Sequence, residues 1–341
     1  MRQYNLLKEL KRNKIDILIY QLSISNEIKM LNNLKRIKIL FYQHLGIFDW
    51  IYGNYSIFKS LYKEYRNSKY VINIIPYEND YIFKKWGINS ILIDNFMTYN
   101  FNKIIPSDLS SGKIMMIGRG DAKKKRFPLG IQAFEYITKE IPKCEMLIIS
   151  DLVGTMKIQL LIKNLNLEKN IKFAGYISSP EIFYKRISLN MFPSISEAFP
   201  LVICETKIYG IPNVLLGLEY TSISEGGTII IYDDYPESLA KWSIKILKSY
   251  SYRNNLGIEA RKVMKYYNNN LLVEKWLKLI LSIYNGDIYY ENYKNQNSKT
   301  NYKKSLQIIK TQVNLLRKRI ICFKNITTNN FENFTFMENI I

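Results

Sequence analysis

The sequence predicts an α/β protein built from two doubly wound domains. Its 341 residues are enough for two domains of ordinary size, each with its own core. Short, nearly all-apolar runs alternate with longer helical patterns, beginning with KIDILIYQ at 14–21. Strands of this kind, separated by helices, are typical of parallel sheets that are covered on both faces. Hydrophobic residues make up 47% of the chain and charged residues 23%, which indicates a folded globular protein rather than a disordered one.

The first predicted domain covers residues 1–110. It begins with a charged helix and has a helical region at 55–67. Its strands are expected at 14–21, 36–43, 68–76 and 89–95. The polar segment 100–112, which contains Pro106 and Gly112, is the predicted interdomain linker.

The second predicted domain covers residues 111–286 and has a more regular rhythm. Its strands are expected at 113–118, 144–150, 171–176, 189–194, 213–217 and 228–232. Helices are expected between them, with Pro128 suited to the first turn of one, and three more follow at about 236–249, 252–267 and 270–284. The last region, 287–341, is predicted to hold a polar linker, a basic amphipathic helix at about 303–323 and a frayed end.

Lysine and arginine exceed the acidic residues by 49 − 29 = 20. This surplus favours anionic partners, and it makes a nucleic-acid-binding protein one alternative, although a codon bias would also produce it. The sequence shows neither a secretory signal nor an apolar run long enough to span a membrane, so we expect a cytoplasmic protein. The basic helix is either a solvated appendage or a peripheral contact with an anionic membrane surface.

The first candidate site is SISEAFPLVICETKIYGIP, residues 194–212. Glu197 ends a strand-to-helix loop, and Pro200 suits the first helical position. The backbone N–H groups near Phe199 to Leu201 would then open a helix, where the helix dipole favours an anion such as a pyrophosphate. Glu205 lies further along that helix, where its carboxylate can accept hydrogen bonds from two vicinal hydroxyl groups. The ordinary alternative is one capping carboxylate and one solvated helix face.

The second candidate site is MMIGRGDAKKKRFPLGIQAF, residues 115–134. Its strand ends at Gly118, at the carboxyl edge where ligands bind in doubly wound sheets. Arginine offers a two-pronged contact for phosphate oxygens and lysine a point charge, while a solvated basic loop is the ordinary alternative. The basic cluster after the strand consists of Arg119, Lys123, Lys124, Lys125 and Arg126.

These two stretches resemble family 4 (group 1) glycosyltransferases. The resemblance rests on GR…KRF-x-LGI-x-AF and on E-AFPLV followed by a second glutamate and GIP, and it runs from about Lys113 to Tyr284. It implies the GT-B fold, in which an acceptor-binding and a nucleotide-sugar-binding Rossmann-like domain face each other across a cleft. It also implies hexosyl or N-acetylhexosaminyl transfer with retained configuration and without a metal ion.

The resemblance assigns the donor diphosphate to basic and backbone groups. Arg119 and Lys125 match residues that contact the diphosphate, and Gly118 ends the strand before them. In the family, backbone groups at the positions of Phe199, Pro200 and Leu201 contact the sugar and the phosphates. The expected donor is a UDP-sugar, which is a substrate, and we expect no cofactor.

The resemblance also assigns the sugar, the ribose and the base. Glu197 matches a glutamate near the donor sugar, Glu205 matches one that binds the ribose hydroxyls, and Tyr176 falls near the nucleobase. His44 follows the second predicted strand, where a histidine often lines the cleft in the family, although an ordinary surface or core residue is an equal alternative. We take Glu197 and His44 as the catalytic candidates.

The N-terminal sequence departs from the family pattern. Family members begin with a strand and a glycine-rich loop, and no such element precedes MRQYNLLKELKRNK. The first domain is therefore expected to be incomplete and N-terminally shortened. The sequence predicts a retaining glycosyltransferase of polysaccharide biosynthesis that acts on a glycan or lipid-linked hydroxyl. A catalytically impaired nucleotide-sugar-binding protein is the alternative that the shortening raises.

Overall fold

The computed structural model divides into two compact units. It describes residues 2–21, 25–43, 55–75, 78–79, 87–88, 90–97, 99, 101–119, 122–151, 156–195, 197–217, 225–265, 267 and 269–286. The first unit takes in the described residues of Met1–Phe96 and Asn268–Ile341, and the second those of Met97–Tyr267. Each unit has its own parallel sheet.

The first unit is built on a four-stranded parallel sheet in the order β1-β2-β3-β4. Its strands are β1 (Ile17–Tyr20), β2 (Lys38–Gln43), β3 (Tyr70–Asn73) and β4 (Ser90–Leu92). Its N-terminal helices are α1 (Arg2–Arg12), α2 (Ser25–Asn32) and α3 (Tyr55–Arg66). Each strand lies within a run that the sequence predicted. β3 is buried throughout, whereas β1 at one edge of the sheet leaves Ile19 exposed.

The second unit is built on a six-stranded parallel sheet in the order β10-β9-β8-β5-β6-β7. Its strands are β5 (Ile114–Ile117), β6 (Met146–Ile149), β7 (Ile171–Gly175), β8 (Leu189–Phe192), β9 (Asn213–Leu216) and β10 (Thr228–Ile231). The chain moves outward from β5 to β7 and then returns to the other side of β5 with β8. The predicted doubly wound sheet is confirmed, and its strand order reverses between β5 and β8.

Helices connect and cover the strands of the second sheet. They are α4 (Ala122–Lys125), α5 (Phe127–Glu140), α6 (Met156–Asn164), α7 (Glu181–Tyr184), α8 (Leu201–Ile208), α9 (Pro236–Lys248) and α10 (Tyr250–Met264). Helix α5 lies close against β5 because it carries Gly130, where a Cβ atom would collide with the sulfur of Met116. This close packing fixes the start of α5, and with it the basic loop that precedes the helix.

The segment predicted as an interdomain linker, 100–112, is anchored to the second unit. Ser107 donates its N–H to the carbonyl of Tyr209 at 2.7 Å, and Ser188 donates its hydroxyl to the carbonyl of Leu109 at 2.6 Å. The described residues of this segment therefore belong to the compact second unit. Its serines, which look like linker residues in sequence, also satisfy backbone groups of that unit: the Ser107 hydroxyl donates to the carbonyl of Ile187 and the Ser111 hydroxyl to that of Arg186.

The last described helix, α11 (Asn269–Asn285), belongs to the first unit. Trp276 packs edge-on against Tyr42 of β2, with 5.4 Å between the ring centroids. Lys38 donates to the carbonyl of Ile283 at 2.7 Å. The observed division thus differs from the predicted limits at 110 and 286. None of the helices that the structure describes is long and apolar enough to cross a bilayer.

Candidate functional site

The candidate site lies at the carboxyl edge of the second sheet, between the neighbouring strands β5 and β8. The connections that leave these strands are joined by hydrogen bonds. Ile195 donates its N–H to the carbonyl of Lys124 at 3.0 Å, and the hydroxyl of Ser194 donates to the same carbonyl at 3.3 Å. Because a doubly wound sheet opens a crevice where its strand order reverses, the two sequence motifs meet where a ligand is expected.

Lys125 and Glu197 form an ion pair that joins the two motifs. Their side chains are only 16% and 15% exposed, so the pair is largely shielded from water. Ser194 donates its hydroxyl to the same carboxylate oxygen, Oε1, at 2.7 Å. The ammonium group of Lys125 also lies 5.2 Å from the centroid of the Phe192 ring. The lysine and the glutamate are therefore held in fixed positions at the end of the sheet.

Gly118 makes room for the Lys125 side chain. Its N–H donates to the carbonyl of Ile149 at 3.1 Å, which extends the β5–β6 ladder by one bond. A Cβ atom at this position would lie 3.3 Å from Cδ of Lys125, so the lysine stem crosses directly over the glycine. Arg119 follows as an exposed residue. Both basic residues that the resemblance singles out thus lie at the end of β5.

Helix α8 begins at Leu201, one residue later than predicted. Pro200 is its N-cap residue, with φ −73° and ψ 101°, and the carbonyl of Pro200 accepts from the N–H of Ile203 at 3.0 Å. Proline suits this position because it brings no N–H of its own to the unsatisfied first turn. Phe199 is buried and packs against the ring of Tyr267 at 6.2 Å. The first backbone N–H groups of α8 therefore lie next to the loop that carries Glu197 of the ion pair.

Glu205 lies in the second turn of α8 and is held by a buried tyrosine. Tyr184, at the end of α7, donates its hydroxyl to Oε2 of Glu205 at 2.6 Å. Burial raises the pKa of Glu205, although the hydrogen bond from Tyr184 acts in the opposite direction. A shallow depression beside this carboxylate, too small to hold a water molecule, is lined by Met97, Tyr99, Leu201, Cys204, Glu205 and Ile208. Nothing in the local sequence points to Tyr184, because its partner lies 21 residues away.

Two further candidates stand apart from this cluster. Tyr176 follows β7 and is 77% exposed, at the carboxyl edge but two strands away from β5. His44 lies outside the described residues, so its place in the site stays a prediction. The structure therefore brings together the two glutamates and the basic loop on neighbouring connections, while the roles of all these residues remain predictions.

The aspartates at 233 and 234 are engaged in loop contacts. Asp233 accepts from the N–H of Tyr235 at 3.1 Å and from the hydroxyl of Ser238 at 2.9 Å. Asp234 forms an ion pair with Arg126 at 2.8 Å. Within the part of the chain that the structure describes, no group of three or more His, Cys, Asp or Glu side chains could hold a metal ion.

Sequence comparison connects this site with known proteins. Residues 100–263 match the family model described as glycosyl transferases group 1. An uncharacterized glycosyltransferase of Methanocaldococcus jannaschii is 30% identical over 98 residues, which are 29% of this chain and 24% of that protein. The alignment thus spans about a quarter of that curated relative.

Several solved structures share the fold. A TarM variant from S. aureus, crystallised with fondaparinux, α-GlcNAc-glycerol and UDP, has a TM-score of 0.65 and 22% identity, over 77% of this chain and 55% of TarM. Sucrose-phosphate synthase from Thermosynechococcus elongatus has a TM-score of 0.70 and 18% identity, over 84% and 78% of the two chains. HepE of Anabaena with UDP and glucose has a TM-score of 0.69 and 14% identity, over 82% and 81%. The chain has the GT-B fold of glycosyltransferases, and the segment that contains the candidate site matches group 1 of these enzymes.

Proposed function

We propose that this chain transfers a sugar from a nucleoside-diphosphate donor to a hydroxyl acceptor, and that the donor binds at the carboxyl edge of the second sheet. The observation that carries the proposal is the Lys125–Glu197 ion pair, which joins the connections after β5 and β8. It puts a cation and a carboxylate side by side next to the start of α8. These are the groups that a departing diphosphate and an electron-poor sugar carbon require.

The chemistry breaks the bond between the sugar's anomeric carbon and the diphosphate oxygen, and it forms a bond from that carbon to the acceptor oxygen. The electron pair of the broken bond stays on the diphosphate oxygen, where negative charge builds up, and this oxygen takes up the proton that the acceptor hydroxyl releases. Lys125, Arg119 and the first amides of α8 would stabilise that charge, and Glu197 would stabilise positive charge on the sugar. In the free protein Glu197 engages Lys125, so the donor phosphates would compete with this carboxylate for the ammonium group.

Glu205 would hold the ribose. Its Oε2 atom accepts from Tyr184, which orients the carboxylate and leaves Oε1 to accept from a ribose hydroxyl. Glu205 is half-buried, so part of its side chain faces solvent, where a ribose hydroxyl could reach it. A carboxylate that is partly removed from water and must stay ionised is costly, and such groups are concentrated at functional sites.

The finer parts of the proposal follow the resemblance and the similar structures. Since TarM and HepE were crystallised with UDP, we propose a UDP-sugar as donor and a glycan or lipid-linked hydroxyl as acceptor. We further propose the retaining, metal-independent chemistry of family 4, a role for His44 near the sugar, and a place in polysaccharide biosynthesis on the cytoplasmic side, with contact to anionic membrane surfaces and none to nucleic acid.

The proposal is tested by a donor screen on the purified chain with EDTA present. Thermal unfolding is followed with UDP, GDP and ADP and with their glucose and N-acetylglucosamine conjugates, and nucleotide release is then measured with glycan acceptors. We expect one nucleotide diphosphate to raise the midpoint, and the matching sugar conjugate to be turned over. Stabilisation without release of nucleotide would favour the impaired binding protein. If no diphosphate stabilises the chain while duplex or single-stranded nucleic acid does, the proposal is wrong.

A further inference from the structure

Helix α11 is apolar on two sides. One side is buried against the first unit through Leu272, Trp276, Leu279 and Ile283. Four more apolar side chains are exposed at spacings of four, four and three residues, which places them together on the other side. This outer stripe consists of Val273, Leu277, Leu281 and Tyr284. A helix with apolar residues on both sides is stabilised when other elements cover both sides.

The chain that follows α11 has a matching pattern. After Gly286 come 341 − 286 = 55 residues, all outside the described part of the structure. Within the predicted basic helix at 303–323, five apolar residues recur at alternating spacings of three and four: Leu306, Ile309, Val313, Leu316 and Ile320. This is the spacing of a seam between two packed helices.

We propose that segment 303–323 docks as a helix on the outer stripe of α11, antiparallel to it. The stripe from Val273 to Tyr284 is about 17 Å long, and the seam from Leu306 to Ile320 is about 21 Å long, so the two match within one turn. Residues 287–302 link the two helices, and a flexible chain of that length spans roughly 20–24 Å, which is sufficient for the return.

Glu274 is exposed beside the outer stripe at the start of α11, and Lys275 and Lys278 are exposed on the same helix. In the antiparallel arrangement, Arg317 near the end of the segment comes close to Glu274. A parallel arrangement would instead place Arg317 near the end of α11.

Tethering also favours this segment over a second copy of the chain. A segment joined by a short flexible linker is present at an effective concentration of roughly millimolar. A separate molecule at micromolar concentration competes poorly with it for the same stripe. The docked segment would give the first unit a further helical layer, independent of whether the second unit transfers sugars.

The test is hydrogen exchange of the full chain at low micromolar concentration, with Leu277→Asp and a matched control, Leu271→Asp. Both leucines lie on α11 and are 53% and 54% exposed, but Leu271 is not on the outer stripe. We expect the amides of 306–320 to be protected in the parent chain and in the control. In Leu277→Asp they should exchange about tenfold faster or more, because one buried leucine contact is lost. Leu316→Asp should have the same effect from the other side.

Four results would overturn the proposal. Segment 306–320 could be unprotected in the parent chain, or Leu271→Asp could release it as readily as Leu277→Asp. Protection that appears only as the concentration rises, together with a dimer in light scattering, would assign the stripe to a second copy. Protection that appears only with phosphatidylglycerol vesicles would assign it to a lipid surface.

Discussion

Tyr184 donates a 2.6 Å hydrogen bond to Glu205, and its side chain is completely buried. The tyrosine comes from α7 and the glutamate from α8, so this bond ties together two helices that leave different strands. A carboxylate held at one oxygen has a fixed direction at the other. If Glu205 binds a ribose, the selectivity of the site for that ribose depends on a residue that never touches it.

Tyr184→Phe should therefore weaken ribose recognition. This hydrogen bond is present without nucleotide, so its loss should lower the folding stability by about 1.5–3 kcal/mol and the UDP affinity by a smaller amount. The preference for UDP over 2′-deoxy-UDP should also shrink, because the carboxylate is no longer oriented. Calorimetry with both nucleotides measures the two effects.

The matched control is Tyr209→Phe. Tyr209 packs against Tyr184 with 5.2 Å between the ring centroids, so the Tyr209→Phe substitution alters the same aromatic cluster. This variant should keep the preference for the ribonucleotide. An unchanged preference in Tyr184→Phe would show that the tyrosine is only a packing residue.

Glu205→Gln should stabilise the free protein while it weakens nucleotide binding. Burial raises the pKa of Glu205 in the folded state above its unfolded value. The folded state therefore holds the proton more tightly, and the free energy of unfolding falls as pH rises from the unfolded pKa through the folded one. Glutamine is always neutral, so this fall should be absent from the variant.

Urea unfolding at pH 4.5 and pH 7.5 tests the direction of this pH dependence of the free energy of unfolding. We expect the variant to gain stability relative to the parent chain at the higher pH, and to bind UDP less tightly there. A variant that is less stable than the parent at pH 7.5 would show that the ionised carboxylate is well solvated or paired in the folded protein.

Substitutions of Lys125 and of Glu197 should have different effects on UDP binding and on sugar transfer. Glu197→Gln keeps a hydrogen-bonding side chain beside Ser194, and it should lower sugar transfer by about 10²-fold. UDP affinity should be kept or increased, because Lys125 no longer pairs with a carboxylate. Lys125→Met removes the cation and should weaken UDP binding by about 1.5–3 kcal/mol. Glu205→Ala should also lower UDP affinity more than Glu197→Ala does. Equal losses of UDP affinity in both glutamate variants would contradict the division of roles.

Local pattern was sufficient to predict the sheets. The sequence LNMF, which forms β8, is apolar enough to be placed in a parallel sheet. The loop with Glu197 follows it directly. Because parallel strands end at one edge, the sequence could place that loop and the basic cluster at the same edge of the sheet. That β5 and β8 are neighbours there is a finding of the structure.

Contacts between residues that are far apart in the chain could not be predicted in the same way. The return of α11 to the first unit depends on the contact of Trp276 with Tyr42, residues far apart in the chain. Arg126 adopts a left-handed backbone with φ 51°, a conformation that arginine does not signal in sequence, and its side chain forms an ion pair with Asp234. Such contacts belong to the packed structure, so single-residue patterns do not contain them.

Lys207 lies fully buried on α8, where periodicity predicts an apolar side chain, and it donates to the carbonyl of Glu225 at 2.6 Å. Burial lowers its pKa from 10.5 to about 7. Between these two values the unfolded chain binds more protons than the folded one, so the free energy of unfolding rises with pH in this window.

Lys207→Met should remove that dependence, because methionine fills a similar volume without a charge. At pH 7 the variant should be more stable than the parent chain by about 1 kcal/mol or more, since each unit of lowered pKa corresponds to roughly 1.4 kcal/mol. By pH 9 the difference should narrow, because the parent lysine is then neutral in the folded state. Urea unfolding at pH 7, 8 and 9 measures both effects. Lys207→Arg is the matched control, and it should be the least stable, since arginine keeps its charge throughout. A methionine variant that is less stable than the parent at pH 7 would show that the lysine's hydrogen bonds outweigh its burial.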